Sequence, residues 1–385
     1  MFTDDQNAIR DAVASLCTRF DDDYWLERDR SGEFPEDFYR AFADGGWLGI
    51  AMPEEYGGSG LGITEASIMM QAVAESGAGF SGASAIHLNI FGLNPVVVFG
   101  TDEQKRRRLP PLIRGEEKAC FGVTEPDAGL DTTNLTTRAE RHGDGYIING
   151  RKMWTSTAQE ADKILLLART RPRDANKKRA EGLSLFYTDF NRDYIEARVI
   201  DKMGRKAVDS NAVFIDNLPV PAADLIGEEG KGFYYLLHGL NPERVMVAAE
   251  AVGLGRAALR KAVQYANERV VFDRPIGQNQ GIQHPLAKSW AELEAANLMA
   301  FRAAALYDSG EECGAEANAA KYLAGEAGFT ACERAIMTHG GMGYAKEFHV
   351  ERYLREVMIA RIAPVSRELI LSYIAEKVLG LPRSY

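Results

Sequence analysis

Cysteine is scarce in this chain of 385 residues, which contains four: Cys17, Cys120, Cys313 and Cys332. No two of them form a CxxC pair, and none stands at a metal-binding spacing from a histidine. Extracellular disulfide frameworks and zinc sites need such patterns. The sequence therefore predicts single reduced thiols, no metal site and a cytoplasmic location.

A long hydrophobic run and an excess of positive charge are also missing. No window approaches roughly 18 uninterrupted apolar residues, the length that a membrane-spanning helix needs. Residues 1–13 have neither an apolar core nor an arginine-rich composition, so we expect no targeting segment and no membrane span. The net charge of -10 argues against nucleic acid or an anionic membrane as the main partner.

Hydrophobic periodicity divides the chain into three zones. Residues 1–118 show helical patterns, and Thr101 is a candidate cap for a helix that begins at Asp102. Residues 119–228 contain short β-type runs, and residues 229–385 are rich in alanine and leucine at helical spacing. We predict an α+β multidomain fold with an N-terminal α-helical domain, a middle β-barrel or β-sandwich, and a C-terminal antiparallel helix bundle.

Two short motifs in the middle zone suggest a surface for a flat ring. In residues 120–131, CFGVTEPDAGLD, Pro126 is rigid and Gly129 is permissive, so the turn can present backbone N–H groups at close range. Trp154-Thr155-Ser156 follows further along the chain. Each motif alone is common in β proteins, but together they are specific. They resemble the flavin-facing loop and the Trp-Ile-Thr/Ser motif of the acyl-CoA dehydrogenases, and this resemblance covers essentially the whole chain.

The resemblance implies that the protein binds FAD. It assigns Ser156 to the neighbourhood of flavin N5 and Trp154 to the face of the ring. The residues expected around the ring are Phe121, Val123, Thr124, Gly129, Leu130, Trp154, Thr155 and Ser156. In the family, Gly-Ser-Asp often follows the loop, with the serine near the pantetheine of the substrate. This chain has Leu130 there, so that hydrogen bond is absent or replaced.

A second set of cofactor residues is implied near the C-terminus, because the family binds FAD across a subunit interface and is usually a homotetramer. Arg269 is expected to pair with the pyrophosphate, since a fixed cation matches two phosphates. Phe272, Asn279 and Gln280 are expected near the adenosine. The remaining members of this set are Gly340, Gly341, Gly343 and Ser366.

The catalytic base is identified from an absence. Many family members carry Tyr-Glu-Gly-Thr-Ser where this chain has residues 362–366, IAPVS, so Ala363 replaces the usual glutamate. A carboxylate stands instead at Glu243, as in the isovaleryl-CoA and long-chain branches. The preceding Asn241-Pro242 is either an N-cap with the first helical residue, which would favour ionised Glu243, or a kink in a longer helix.

These assignments predict an FAD-dependent α,β-dehydrogenation of an acyl-CoA with a branched or long chain, giving a trans-2-enoyl-CoA. Glu243 removes the α-proton and flavin N5 accepts the hydride. The expected substrate contacts are Asn241, Arg244, Leu130 and the backbone N–H of Ala363, which polarises the carbonyl. The family resemblance implies electron-transferring flavoprotein as the acceptor. The alternatives are an acyl-CoA oxidase or flavin monooxygenase on the same fold, or a non-catalytic acyl-CoA-binding protein.

Overall fold

The N-terminal part of the chain is helical. The computed structural model describes residues 2–173 and 178–384. The first seven helices are α1 (Asp4–Cys17), α2 (Asp22–Ser31), α3 (Glu36–Asp44), α4 (Ile63–Val73), α5 (Gly79–Ile86), α6 (Asn94–Phe99) and α7 (Asp102–Ile113). Thr101 caps α7 as predicted, because its hydroxyl accepts from the Gln104 N–H while the Gln104 side chain accepts from the Thr101 N–H.

One stretch of this region is more apolar than the sequence analysis anticipated. Ile63–Phe99 has the length and composition of a membrane-spanning helix, but 65% of its most apolar window is buried inside the protein. Gly77, at φ 104°, and Gly79, at φ 59°, interrupt the helical geometry between α4 and α5. Core helices of globular domains have the same composition, so the feature is weak evidence for a membrane span.

A mixed β-sheet forms the middle of the molecule. Its strands are β1 (Ala119–Gly122), β2 (Arg138–His142), β3 (Gly145–Ser156), β4 (Lys163–Arg169), β5 (Leu183–Asp189), β6 (Ile195–Val199), β7 (Ser210–Pro221) and β8 (Leu225–Ile226). Their order is β6-β7-β3-β2-β4-β5-β8, with β1 parallel to β4. The register between β3 and β7 is irregular between Lys152 and Thr155, which bends the strand beside the predicted ring surface.

Helices return after the sheet. They are α8 (Gly232–Glu268), α9 (Gln280–Asp308), α10 (Gly314–His339), α11 (Val350–Val357), α12 (Ile359–Ile362) and α13 (Arg367–Tyr373), with a hairpin of β9 (Val270–Val271) and β10 (Arg274–Pro275) between α8 and α9. The predicted fold class is confirmed. The predicted domain boundaries, at 118/119 and 228/229, fall in the connections before β1 and before α8.

Helix α8 passes through the core and carries the predicted base. Asn241, Pro242 and Glu243 all lie inside it, so the interpretation of Asn241 as an N-cap is wrong and the alternative, a proline within a longer helix, is confirmed. Pro242 has no N–H to donate to the preceding turn. Packing of α8 against α4, α9 and α10 keeps the helix continuous across this missing hydrogen bond. Because Glu243 lies inside the helix, it gains no stabilisation from a helix N-terminus.

Candidate active site

Glu243, the predicted base, lies in an enclosed position. Its side chain is only partly exposed. Within residues 2–173 and 178–384, no residue is hydrogen-bonded or ion-paired to it. Because burial disfavours the charged form, the pKa of Glu243 is raised to about 8. A carboxylate with these properties is available to accept a proton and is more basic than a surface glutamate.

Two cations oppose this effect of burial. Arg244, the next residue on α8, and Lys321 on α10 both lower the pKa of Glu243, whereas a second carboxylate, Glu250, raises it. Arg244 Nη1 donates to Asn241 Oδ1 at 3.0 Å. This hydrogen bond fixes the two side chains, both of which are predicted to contact the substrate, relative to each other. Burial lowers the pKa of Arg244, and the charge of Glu243 raises it.

The segment that replaces the usual base position lies close to this cluster. Its Val365 carbonyl oxygen accepts from Lys321 Nζ at 2.7 Å. The Ala363 N–H donates to the Ile359 carbonyl oxygen at 2.9 Å, so a substrate carbonyl would have to share or replace that bond. Ser366 caps α13 by accepting from the Leu369 N–H at 3.3 Å, a local role that leaves its predicted cofactor contact a prediction.

A buried ion pair holds the loop between β1 and β2 in place. Lys152 on β3 donates to Glu125 Oε1 at 2.9 Å and to the Val123 carbonyl oxygen at 3.1 Å. Both side chains are buried. Glu125 also accepts from the N–H groups of Thr136 and Thr137. Burial raises the pKa of Glu125, but Lys152 and these donors outweigh it and hold the pKa at about 2.

The surface predicted to contact the flavin ring lies beside this ion pair, which we call the Lys152–Glu125 clamp. Trp154 is 56% exposed and has φ 61°, and the loop residue Leu130 is 67% exposed. A side chain added at Gly129 would meet nothing within 4 Å. Phe121 and Val123 contribute to the core beneath the loop, and the Thr124 carbonyl oxygen accepts from the Met153 N–H at 2.9 Å.

The burial of one residue of β3 contradicts the cofactor contact predicted for its side chain. Thr155 points into the core and is fully buried, so its side chain cannot reach a cofactor on the exposed side. Asn211 Nδ2 donates to its carbonyl oxygen at 2.9 Å. Trp154 is exposed and Ser156 is half-buried, so both can still make the cofactor contacts predicted for them.

Arg205 orients the Ser156 hydroxyl. Its Nη2 donates to Ser156 Oγ at 2.9 Å and its Nη1 donates to Ser84 Oγ at 3.1 Å. Because Ser156 accepts from Arg205, its own O–H remains available for an acceptor such as a ring nitrogen. The exposed indole, this hydroxyl and the open space at Gly129 suit a flat heterocycle with acceptor atoms on its edge, so the residues present fit a flavin.

A second buried acid–base pair lies on the same side of α8 as Glu243. Glu250 follows seven residues later, which places it on the same helix face. Its Oε1 lies 2.9 Å from His87 Nδ1, and its Oε2 has no hydrogen-bond partner in the described part of the chain. The charge of Glu250 raises the pKa of Arg205 against the lowering effect of burial. Glu250 therefore links the surroundings of Glu243 electrostatically with those of Ser156.

The first four residues of the second predicted cofactor set, Arg269, Phe272, Asn279 and Gln280, lie beyond the far end of α8. Arg269 immediately follows the helix, so about 39 Å of helix axis separates it from Glu243 at 1.5 Å per residue. Phe272 is 93% exposed in the turn of the β9–β10 hairpin, and Gln280 begins α9. Asn279 is engaged locally, because it accepts from Arg274 Nη2 at 2.7 Å and donates to the Ile276 carbonyl oxygen at 2.9 Å.

The three glycines of this set have different surroundings. A side chain at Gly340 or Gly341 would meet nothing within 4 Å, whereas one at Gly343 would lie 2.5 Å from the Ile336 carbonyl oxygen. Close packing of its own subunit therefore explains Gly343. Gly340 and Gly341 have open space around them, and their contact with a cofactor stays a prediction.

Sequence reasoning missed three cations: Lys152, Arg205 and Lys321. Each is paired with residues distant in the chain, so no local motif marks them. Gly204, just before Arg205, packs so closely that an added side chain would lie 2.6 Å from the Arg355 carbonyl oxygen, and this contact too is visible only in the fold. In the described residues, no group of three or more His, Cys, Asp or Glu side chains could hold a metal ion.

Comparison with known proteins covers the whole chain. The family models for the N-terminal, middle and C-terminal domains of acyl-CoA dehydrogenase match residues 3–116, 120–218 and 230–379. Acyl-CoA dehydrogenase FadE12 of Mycobacterium tuberculosis is 39% identical over 392 residues, covering 100% of this chain and 98% of the relative. The caffeyl-CoA reductase-Etf complex subunit CarC of Acetobacterium woodii is 34% identical, covering 87% and 88%.

A solved structure shows the same fold. Glutaryl-coenzyme A dehydrogenase in complex with glutaryl-CoA superimposes with a TM-score of 0.94 at 30% identity, covering 100% of this chain and 97% of the other. The helical, β and helical order predicted from the sequence is the architecture of that protein.

Proposed function

This chain belongs to the acyl-CoA dehydrogenase family, and on that premise we propose that it forms a trans-2-enoyl-CoA by α,β-dehydrogenation with Glu243 as the base. Its enzyme class, an FAD-dependent oxidoreductase acting on acyl-CoA, follows from the family. The identity of the base carries the proposal. Ala363 has no ionisable group, whereas Glu243 is enclosed, has no ion pair among the residues that the structure describes, and is more basic than an ordinary glutamate.

The chain's own residues supply the proton transfer and the positioning. When bound, FAD supplies the acceptor for the β-hydride. Glu243 takes the α-proton, which leaves the electron pair of that C–H bond to form the new double bond. Arg244 and Lys321 limit how far burial can raise the pKa of Glu243, so part of the carboxylate is ionised near neutral pH. The clamp between Lys152 and Glu125 fixes the loop that faces the cofactor.

The proposed substrate carries a branched or long acyl chain. The support is the position of the base on α8, which resembles the isovaleryl-CoA and long-chain branches. A second carboxylate, Glu250, lies on the same face of α8, and its charge disfavours an acyl chain that ends in a carboxylate. We therefore expect this protein to differ in preference from the glutaryl-CoA dehydrogenase that it resembles in fold.

Electron-transferring flavoprotein is the proposed acceptor, and a homotetramer is the proposed assembly. The relative from Acetobacterium woodii is named as a subunit of an Etf complex, which supports the acceptor. The exposed Phe272 and the open backbone at Gly340 and Gly341 support a contact with a second copy of the chain.

Anaerobic flavin bleaching tests the proposed reaction. Purified protein is mixed with isovaleryl-CoA, longer linear and branched acyl-CoAs, and glutaryl-CoA, and the flavin absorbance is followed. We expect fast bleaching with branched or long chains and little with glutaryl-CoA. Glu243→Gln should retain FAD and lose bleaching by about 100-fold or more, as expected for removal of a general base. Glu27→Gln, an exposed glutamate on α2, is the matched control.

Each alternative has its own outcome in this experiment. Bleaching followed by fast reoxidation in air, without an added acceptor, favours an acyl-CoA oxidase. Bleaching by NADH or NADPH alone favours a monooxygenase. Tight acyl-CoA binding without bleaching by any thioester favours a binding protein. Bleaching that survives in Glu243→Gln would remove Glu243 from the mechanism.

A further inference from the structure

Lys321 joins two parts of the site that are far apart in the sequence. It lies on α10, only 1% of its surface is exposed, and its Nζ donates to the Val365 carbonyl oxygen at 2.7 Å. Val365 belongs to the segment 362–366, in which Ala363 replaces the usual base. The charge of the same ammonium group also acts on Glu243 of α8, and the charge of Glu243 acts on it. The cation thus contacts the segment of the empty base position and interacts electrostatically with the occupied one.

A buried ammonium group with one neutral hydrogen-bond acceptor is costly unless a negative charge faces it. The charged groups that face Lys321 are Glu243 and Arg244 from α8, Glu326 from α10 and Glu368 from α13. Glu326 is hydrogen-bonded to Arg361, and Glu368 to Arg367. Glu243 is the one carboxylate of this group with no ion pair within the described residues.

We propose that Lys321 is a positioning residue for the base: its ammonium group raises the fraction of Glu243 that is ionised for proton removal, while its hydrogen bond to Val365 fixes the segment next to Ala363. This inference rests on the proposed function, because it takes Glu243 to be the base. Burial lowers the pKa of Lys321 to about 8 and Glu243 opposes that change, so the ammonium form still predominates near neutral pH. Arg244, Glu250 and Lys321 are the charged groups that face Glu243.

Two substitutions separate the charge from the hydrogen bond. Lys321→Gln keeps an N–H donor for Val365 and loses the charge, whereas Lys321→Met loses both. The rate of anaerobic flavin reduction is measured at saturating acyl-CoA across a pH series. We expect both variants to move the midpoint of the profile to higher pH by about one unit, since removing a nearby opposite charge raises a carboxyl pKa. The rate near neutral pH then falls about tenfold and recovers at high pH.

The shape of the profile distinguishes this role from a structural one. Damage to packing alone would lower the rate by the same factor at every pH. The KM for acyl-CoA should change less than kcat in Lys321→Gln, because the segment stays anchored. Lys321→Met should also raise KM. A midpoint that stays at the wild-type value in both variants would overturn the proposal.

A double-mutant cycle tests the coupling without turnover. Unfolding by denaturant is compared for wild type, Lys321→Gln, Glu243→Gln and the double variant. We expect Lys321→Gln to be more harmful in the wild type than in Glu243→Gln, because the second substitution removes the unpaired charge. If Lys321→Gln does not fold, recovery of folding in the double variant supports the proposal. Additive effects, or no recovery, contradict it.

The two experiments also separate the proposal from the function on which it rests. If no acyl-CoA bleaches wild-type flavin, the proposed function fails, and the cycle still decides whether Lys321 and Glu243 are coupled. If wild type bleaches and the variants keep its pH profile, only the role of Lys321 fails.

Discussion

A group that removes a proton from carbon must be ionised and also strongly basic, and burial raises the pKa of Glu243 to about 8. The carboxylate is the active form, so raising the pH through this value increases the active fraction. We predict that the rate of flavin reduction rises about tenfold per pH unit below the midpoint and levels off above it. Stopped-flow reduction from about pH 6 to about pH 9 measures this profile.

The retained FAD, measured at each pH, is the control for loss of cofactor. A rate that stays constant over the same range would mean either that bound substrate restores an ordinary pKa to Glu243 or that proton removal does not limit reduction. A primary isotope effect from α-deuterated acyl-CoA separates these two explanations.

The sequence predicted residues with local signatures better than residues with distant partners. Glu243, Trp154 and Ser156 each lie in a short motif, and the structure places Trp154 and Ser156 on the exposed side of β3. Lys321 meets Val365, and Arg205 meets Ser84, only because the chain folds back on itself. Such contacts depend on tertiary packing, which local patterns do not encode.

At the scale of elements, the loop from β1 to β2 depends on a buried ion pair that crosses to β3. We predict that Lys152→Met lowers the free energy of unfolding by about 3 kcal/mol or more, because Glu125 would remain buried without its cation. Retention of FAD should fall as well, since the Val123 carbonyl oxygen loses the donor that fixes it. Denaturant unfolding and the flavin content of the purified protein measure the two effects.

Arg198→Met is the matched control for this substitution. Arg198 pairs with Glu196 on the exposed edge strand β6 at 2.7 Å, and exposed pairs contribute little because water and salt screen them. Its removal should leave stability and flavin content close to wild type. Equal losses in the two variants would show that the clamp has no special role.

Helix α8 shows why the boundaries of elements are harder to predict than their type. Asn241-Pro242 satisfies the local rules for a helix start and also those for a kink, and these rules give no reason to prefer one. Burial of the helix on both sides of Pro242 decides the matter. The three zones of periodicity, by contrast, span many residues each and were confirmed as helical, β and helical.

At the scale of the whole molecule, about 39 Å of α8 separates Glu243 from Arg269, so these two residues of one chain cannot serve the same flavin. We predict that each site combines Glu243 of one subunit with Arg269 of another. Glu243→Gln and Arg269→Ala should each have low activity. Co-expression should form hybrid pairs in which one of the two sites combines the intact residue of each variant across a two-fold interface, so roughly a quarter of all sites in the mixed population should be active. Mixing the separately purified variants without subunit exchange is the control. Hybrids no more active than the control would place both residues in one subunit's site or remove Arg269 from it.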